Sequence, residues 1–335
     1  MSQAGSLWKD LAEERLQQPG WHTRRIFPDG IHDIRAAILQ PGLTPALLIE
    51  VASSAVSPDV EYPSSRGFEL FPEIVIPGSN GRVRFCLLLS DRVYREVFEV
   101  LCQDVADTVT RASSEPGAVQ SLFSRLRIWQ GFMKRYGPEG LSPEEQAGLF
   151  AELSFLKDSL IGQLPAAGAV ESWKGPTGGV QDFQLPGCAV EVKSTIVLPA
   201  GSIMISSLSQ LDETRVRRLL LCLMTLDTGG ASGLTLPEVV QQIRNILNTE
   251  DASTVIRFND CLMEAGYLDM HEGLYTGRRY VIREIHYFEV AGDFPRIRAS
   301  DVRRGIASGS YSIEFSACLP FEMDASMAHA LMLEG

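Results

Sequence analysis

The sequence predicts a protein of mixed α and β structure, of the α+β or α/β class. Three observations predict it: apolar runs of strand length fill the first hundred residues, a strongly capped helix begins after Ser142, and two short extended runs joined by a turn follow that helix. The chain has 335 residues, more than one domain usually contains. We therefore expect three units, formed by residues 1–138, 139–230 and 231–335.

The first unit is predicted to be β-rich, with two helices at its end. Its apolar runs are separated by Pro and Gly turns, which is typical of antiparallel strands. These runs span Ala46–Val51, Phe68–Ile76 and Val83–Leu89. Helical periodicity then occupies roughly 91–113 and 118–135. The segment Tyr136–Gly140 contains two glycines and a proline, so we place a domain boundary there.

The second unit begins with a helix whose first turn carries three agreeing signals. Ser142 supplies a capping hydroxyl, Pro143 occupies the first turn, and Glu145 stands three positions after Ser142, as in a capping box. We predict a helix from Pro143 to about Leu160, with leucines at helical spacing on its buried face. Glu152 falls about 60° from the first leucine of that stripe, so the helix should carry an acid at the edge of its buried face.

Two short strands joined by a turn are predicted next. They are Val180–Gln184 and Cys188–Val197, connected by a turn-forming Leu-Pro-Gly tripeptide. Further strands at about 202–207 and 217–226 would complete a sheet, and the preceding helix would pack on that sheet.

The third unit is predicted to resemble a winged helix. A second capping box, Thr235 with Glu238, leads a helix to about residue 248, and another helix covers about 253–266. Two strands are predicted after these helices, near Leu274–Tyr280 and Val281–Val290. Helix, turn, helix and β-hairpin in this order is the outline of a winged helix.

Composition restricts the classes of function. Hydrophobic residues make up 45% of the chain and charged residues 21%, which is typical of a folded protein. The net charge of −12 argues against a protein that coats nucleic acid along its whole surface. Between His271 and Arg304, seven arginines stand against five acids, which leaves a local basic contact and an ordinary solvated surface as alternatives.

The sequence also indicates the compartment. The first twenty residues lack the apolar region of a signal peptide, and the longest apolar run, Leu219–Leu226, is far shorter than the roughly 20 residues of a membrane-spanning helix. The six cysteines are scattered and form no metal-binding spacing, so we expect reduced, buried thiols. We therefore expect a cytoplasmic protein outside the membrane.

Trp129 and Trp173 are expected to be buried rather than to stack on bases.

One group of residues has the chemistry of a hydrolytic site. Asp182 lies on the first predicted hairpin strand, and Glu191 and Lys193 share one face of the second, because side chains alternate along a strand. Phosphodiester hydrolysis needs a nucleophilic water and neutralisation of phosphate charge, which Mg²⁺ held by carboxylates supplies. Asp182 and Glu191 suit this role, and Glu152 joins them if its helix packs beside the hairpin. Lys193 would orient or deprotonate the water, with its pKa lowered if it is partly buried, and would stabilise the transition-state charge.

This pattern resembles the PD-(D/E)XK nuclease superfamily. Asp182 matches the first acid of the signature, Glu191 its second acid, Lys193 its lysine, and Glu152 the acid often found on the preceding helix. The resemblance implies a mixed sheet flanked by helices, as in restriction endonucleases, with Mg²⁺ as cofactor and Mn²⁺ as a substitute. The residue before Asp182 is Gln181 where the signature has proline, a replacement that is frequent in the superfamily.

The run from Gly178 to Asp212 and the segment Phe294–Ile297 also resemble bacterial PD-(D/E)XK motif proteins of phage-defence and restriction clusters. Gln210, just after the third strand, is predicted either to contact phosphate or the attacking water, or to be a surface amide. The resemblance implies DNA as the substrate, and other defence proteins or a second copy of the chain as partners.

Three hypotheses about this group of residues remain open. The first is a metal-dependent DNA endonuclease of restriction or phage defence, and the second is a catalytically silent DNA-binding or scaffold subunit. In the third, Glu191 and Lys193 form only an exposed ion pair worth less than about 1 kcal/mol. The retention of both acids and of the lysine favours catalysis.

Overall fold

The computed structural model describes residues 3–14, 18–57, 61–74, 81–196, 201–230 and 232–334. The chain forms two compact units, Met1–Pro138 and Glu139–Gly335. The boundary at residue 138 coincides with the Gly-Pro break, but the expected boundary at residue 230 is absent, because later strands join the same sheet as earlier ones. Residues 139–335 therefore form one unit where the sequence suggested two.

The first unit contains an antiparallel sheet of five strands. Its elements are α1 (Gln3–Glu13), β1 (Gly20–Arg25), β2 (Asp33–Gln40), β3 (Thr44–Ala52), β4 (Phe68–Ile74), β5 (Arg82–Leu89), α2 (Arg95–Thr110) and α3 (Glu115–Arg135). The strand order is β1-β2-β3-β5-β4, and all neighbours are antiparallel. A β-rich unit that ends in two helices is what the apolar runs predict.

The second unit is built around a mixed sheet of five strands. Its elements are α4 (Pro143–Phe155), α5 (Ala166–Ser172), β6 (Phe183–Gln184), β7 (Ala189–Thr195), β8 (Ser202–Ile205), β9 (Leu219–Asp227), α6 (Leu236–Glu250), α7 (Ala252–Glu264), α8 (Glu272–Tyr275), β10 (Val281–Glu289), β11 (Tyr311–Glu314), α9 (Phe315–Cys318), β12 (Glu322–Met323) and α10 (Ala325–Leu333). The strand order is β12-β10-β9-β7-β6, in which β7 and β9 are parallel and the other pairs antiparallel. This mixed α/β architecture is consistent with the expected fold class.

The capping box at the start of α4 is present. The hydroxyl of Ser142 accepts a hydrogen bond from the main-chain N–H of Glu145 at 3.2 Å, and the Glu145 carboxylate accepts one from Ser142 N–H at 2.8 Å. The last turn, Leu156–Leu160, is wider than an α-helical turn, and its end is closed by the N–H of Ile161 bonding to the Leu156 carbonyl at 2.9 Å. α4 packs on β7, which places its side chains beside the β6–β7 hairpin.

Two predictions about strand pairing are wrong. The strand predicted at 202–207 exists as β8, but it pairs with β11 in a separate two-stranded sheet, because β7 and β10 already occupy both edges of β9. The winged helix is also not formed: residues 272–275 are helical, and β10 pairs with β9 instead of forming a wing. Eight of the nine residues of β9 are buried, so its main-chain groups need strand partners on both edges.

The buried side chains follow the remaining predictions. All six cysteines are buried, and Trp129 and Trp173 are each 1% exposed. Val197, the predicted last residue of the second hairpin strand, lies outside the described residues. Among the residues that the structure describes, no helix combines the length and the apolar character needed to cross a membrane.

Candidate active site

Four of the five predicted site residues come together beside the β6–β7 hairpin. Glu152 comes from α4, Asp182 directly precedes β6, and Glu191 and Lys193 lie on β7. Glu191 is completely buried, whereas the other three are partly exposed. We refer to these four residues as the carboxylate cluster, in which Glu191 is the most deeply buried.

Main-chain hydrogen bonds fix Asp182 at the edge of the hairpin. Its Oδ2 accepts a hydrogen bond from Val192 N–H at 2.8 Å, and its carbonyl oxygen accepts bonds from Lys174 and Gly175 N–H at 2.7 and 3.0 Å. A Cβ atom on Gly175 would lie 2.8 Å from Asp182 Oδ1 and 3.4 Å from Glu152 Oε2. The glycine therefore allows both carboxylates to lie against the main chain at the same point.

Trp173 holds Glu152 in place. The indole Nε1 donates a hydrogen bond of 2.8 Å to Glu152 Oε2 from a fully buried ring. A buried tryptophan usually needs a partner for its N–H, and this is the only signal by which the sequence points to a role for Trp173. The sequence motif itself points neither to this contact nor to the role of Gly175.

Glu191 and Lys193 are buried in contact with each other. Lys193 Nζ lies 2.7 Å from Glu191 Oε1, and the lysine side chain is 18% exposed. Within the described residues, neither Glu191 oxygen accepts a hydrogen bond of normal geometry, although the Asp182 N–H is close enough to favour the ionised form. Ala189, Val190, Glu191 and Val192 are all buried, so both faces of this part of β7 are covered, and Leu221, the register partner of Glu191, belongs to an apolar cluster. The exposed ion pair of the third hypothesis is therefore absent.

Burial and mutual repulsion disfavour ionisation of the three acids. Burial, followed by the charge of Asp182, raises the pKa of Glu191 to about 8. The same two causes, in the same order, raise the pKa of Glu152 well above its ordinary value, and burial raises that of Asp182 against the opposing charge of Lys193. Three carboxyl groups thus share one ammonium group, so the cluster must bind protons or further positive charge.

The expected direction of the Lys193 pKa is wrong. Burial acts to lower it, but the charges of Glu191, Asp182 and Glu152 and the contact with Glu191 outweigh burial and raise it. The side chain is therefore an ammonium ion at neutral pH. It can orient a water molecule and stabilise developing negative charge, but in this state it cannot accept a proton.

The donor set of the cluster fits a hard divalent cation. Mg²⁺ and Mn²⁺ prefer carboxylate oxygens, and the buried Glu191 oxygens are suitable ligands once the contact with Lys193 is released. Across the described part of the chain, however, no three His, Cys, Asp or Glu side chains converge closely enough to hold an ion. A cation would therefore have to displace Lys193 from Glu191 and draw the carboxylates together.

Gln210, the fifth predicted residue, has a different set of contacts. Its side-chain oxygen accepts hydrogen bonds from Ser206 and Ser207 N–H at 2.8 and 3.3 Å, and so closes the turn after β8. The buried Gln181 side chain bonds to the carbonyls of Ser209 and Gln210 at 3.4 and 3.3 Å. The residue before Asp182 therefore ties the hairpin to this turn, and a contact of Gln210 with phosphate remains a prediction.

Most of the arginines in the segment 271–304 are engaged within the protein. Arg279 pairs with Glu238 and Arg283 with Asp227, while Arg296 and Arg298 both pair with Glu213.

A cavity of about 620 Å³ lies beside the hairpin turn and is lined in part by Arg215 and Arg217. Both arginines are exposed and form no ion pair with the described residues. Free positive charge thus lies next to Gln181, in a place that the sequence prediction did not single out.

A helix glutamate, an aspartate at a hairpin edge and a Glu-x-Lys strand are the site elements of PD-(D/E)XK nucleases. A family model described as "Putative PD-(D/E)XK family member (DUF4420)" matches residues 5–316. The chain belongs to this family. No curated protein and no solved structure matches the chain.

Proposed function

We propose that the protein is a metal-dependent endonuclease that hydrolyses phosphodiester bonds of DNA. The observation that carries this proposal is the convergence of Glu152, Asp182, Glu191 and Lys193 in one cluster, which holds three carboxyl groups and a single ammonium group. Family membership supports hydrolysis of nucleic acid. The resemblance to defence-cluster proteins supports restriction or phage defence in the bacterial cytoplasm as the setting.

Glu152, Asp182 and Glu191 would hold Mg²⁺, for which Mn²⁺ can substitute. When bound, the ion supplies a water of lowered pKa and neutralises charge on the phosphate. The protein contributes fixed positions: Trp173 orients Glu152, and the Val192 N–H orients Asp182. Lys193, released from Glu191, donates hydrogen bonds to the attacking water or to the non-bridging phosphate oxygens, where charge develops in the transition state.

The cavity beside the hairpin is the proposed place for the DNA strand next to the scissile phosphate. Gln181 contributes to its wall and directly precedes Asp182, so a strand bound there would lie next to the carboxylate cluster. Arg215 and Arg217 supply exposed positive charge suited to phosphate oxygens. Gln210, in the turn that Gln181 contacts, is the proposed additional polar contact.

Cleavage of supercoiled plasmid tests the proposal directly. Wild-type protein with Mg²⁺ or Mn²⁺ should nick or linearise the plasmid, and EDTA should abolish the reaction. Asp182→Asn should abolish it too, whereas Asp158→Asn is the control, because Asp158 is exposed and pairs only with Lys157 among the described residues. Loss of cleavage in both variants, or in neither, would contradict the assignment of Asp182.

One observation favours the second candidate, a silent DNA-binding or scaffold subunit. The Lys193 ammonium lies 2.7 Å from Glu191 Oε1, where it occupies the position that a bound cation would take beside this carboxylate. If this pair is permanent, Mn²⁺ should not bind, and DNA binding should not respond to divalent ions. Calorimetric titration of Mn²⁺ into wild-type protein and Asp182→Asn separates the candidates, because only the nuclease proposal predicts binding that the variant loses.

A further inference from the structure

The first unit contains a hollow lined by positively charged side chains. It has a volume of about 460 Å³ and lies between helix α3 and the loop that precedes β4. Its lining consists of Ser64, Ser65, Arg66, Arg127, Gln130, Gly131, Met133 and Lys134. None of these residues is acidic, in a chain whose net charge is −12. We call this feature the α3 groove.

The groove is held open by contacts within the protein. Arg127, Gln130, Gly131 and Lys134 follow one another at positions i, i+3, i+4 and i+7, which is one face of a helix. Gln130 Nε2 donates a hydrogen bond of 2.8 Å to the Ser64 carbonyl, which fixes the loop to the helix. A Cβ atom on Gly131 would meet no other atom within 4 Å, so the floor between the cations is open.

Among the residues that the structure describes, the cations of the groove have no counterion. Arg66, Arg127 and Lys134 are exposed, and none of them forms an ion pair there. Several other arginines of this unit pair with acids, as Arg82 does with Glu115 at 3.0 Å and Arg84 with Glu50 at 2.5 Å. Positive charge that the protein does not neutralise, in an otherwise acidic chain, favours an anionic ligand.

We propose that the α3 groove binds the phosphate backbone of nucleic acid, as a second contact of the nuclease with its substrate. The choice of nucleic acid rests on the proposed function. Two features favour an extended polyanion over a small one: the cations are exposed rather than enclosed, and Arg127 and Lys134 leave the helix about 10 Å apart along its axis. They therefore reach different phosphates of one strand.

The salt dependence of DNA binding tests this proposal. Binding of a short duplex is measured by fluorescence anisotropy in EDTA, which prevents cleavage, over a range of salt concentrations. Each lost phosphate contact lowers the slope of log Kobs against log[salt] by about 0.9. The triple variant Arg66→Gln, Arg127→Gln, Lys134→Gln should therefore lose about two to three units of slope and bind at least about tenfold more weakly at moderate salt.

A single substitution outside the groove provides the control. Arg111 is exposed and forms no ion pair with the described residues, so Arg111→Gln removes the same charge as Arg127→Gln without touching the groove. Arg127→Gln should lower the slope by about one unit and Arg111→Gln should leave it unchanged. Equal effects of the two variants, or no effect of the triple variant, would overturn the proposal.

Two further outcomes separate this proposal from its alternatives. Calorimetric titration with pyrophosphate tests whether the groove is instead a site for a small anion. The polyanion proposal would be overturned if pyrophosphate bound saturably, if the triple variant lost this binding, and if the salt dependence of DNA binding did not change. Plasmid cleavage separates the proposal from the nuclease function itself. If the salt dependence of DNA binding depends on the groove but no cleavage occurs, the groove proposal is supported and the nuclease proposal is contradicted. If cleavage occurs but the triple variant has the wild-type salt dependence, the nuclease proposal is supported and the groove proposal is contradicted.

Discussion

Replacing Glu191 by glutamine tests how burial controls the carboxylate cluster. In the metal-free protein, burial raises the pKa of Glu191 from an ordinary 4.5 to about 8. Between these values the folded state holds a proton that the unfolded chain releases, so the free energy of unfolding falls as pH rises. The favourable contribution is complete below about pH 4.5 and is lost as pH rises through about 8.

The size of the effect follows from the proton count. A difference of one proton between the folded and unfolded states changes the free energy of unfolding by about 1.4 kcal/mol per pH unit. Glutamine has no titratable proton, so Glu191→Gln should lose up to this slope. The stability of the variant relative to wild type should therefore be greater near pH 8 than near pH 5.

Calorimetric unfolding in EDTA between about pH 5 and pH 8 measures the slope. The control is Glu171→Gln, because Glu171 is an exposed glutamate on α5 whose partner is Arg257. It should retain the wild-type pH dependence. Identical pH profiles for wild type and Glu191→Gln would refute the reasoning, since they would mean that Glu191 is ionised in the folded state throughout this range.

Three further predictions concern the same site. Binding of Mn²⁺ near neutral pH should release protons, because a cation requires ionised Glu191; the binding heat should then vary with the ionisation enthalpy of the buffer, and a heat independent of the buffer would contradict this. Gly175→Ala should impair cleavage, because the new Cβ would lie 2.8 Å from Asp182 Oδ1. The control is Gly148→Ala in α4, whose new Cβ would meet no atom within 4 Å. This control should stabilise the protein by up to about 1 kcal/mol and leave cleavage unchanged. Trp173→Phe should raise the pKa of Glu152 further by removing its hydrogen bond, so metal affinity should fall most at low pH; equal loss at all pH values would indicate a purely structural effect.

Local signals in the sequence are enough to predict the elements that carry the site. The capping box at Ser142 and the Leu-Pro-Gly turn define α4 and the β6–β7 hairpin, because both depend on residues only a few positions apart. Alternation along β7 places Glu191 and Lys193 on one face. The meeting of these residues with Asp182 and Glu152 then follows from the packing of α4 on β7.

Pairings between distant segments are what the sequence does not reveal. β10 has the length and composition of a hairpin strand. It lies in the central sheet because the main-chain groups of the buried β9 need hydrogen-bonding partners on a second edge. The pKa of Lys193 is a similar case, because its direction depends on three acids that the fold brings together. The α3 groove combines a helix face with a loop about sixty residues earlier, and no local motif marks it.

The removal of Lys193 tests the nuclease proposal most directly. If its ammonium group stabilises the transition state, Lys193→Ala should slow plasmid cleavage by at least about a hundredfold, while DNA affinity changes little and Mn²⁺ binding is retained, because the variant lacks the ammonium that a cation must displace from Glu191. Lys157→Ala is the matched control, because Lys157 is similarly buried and contacts Asp158 and Gln242. Circular dichroism should show that both variants fold. Cleavage by Lys193→Ala at the wild-type rate, or wild-type protein that cuts no DNA with Mg²⁺ or Mn²⁺, would contradict the nuclease proposal.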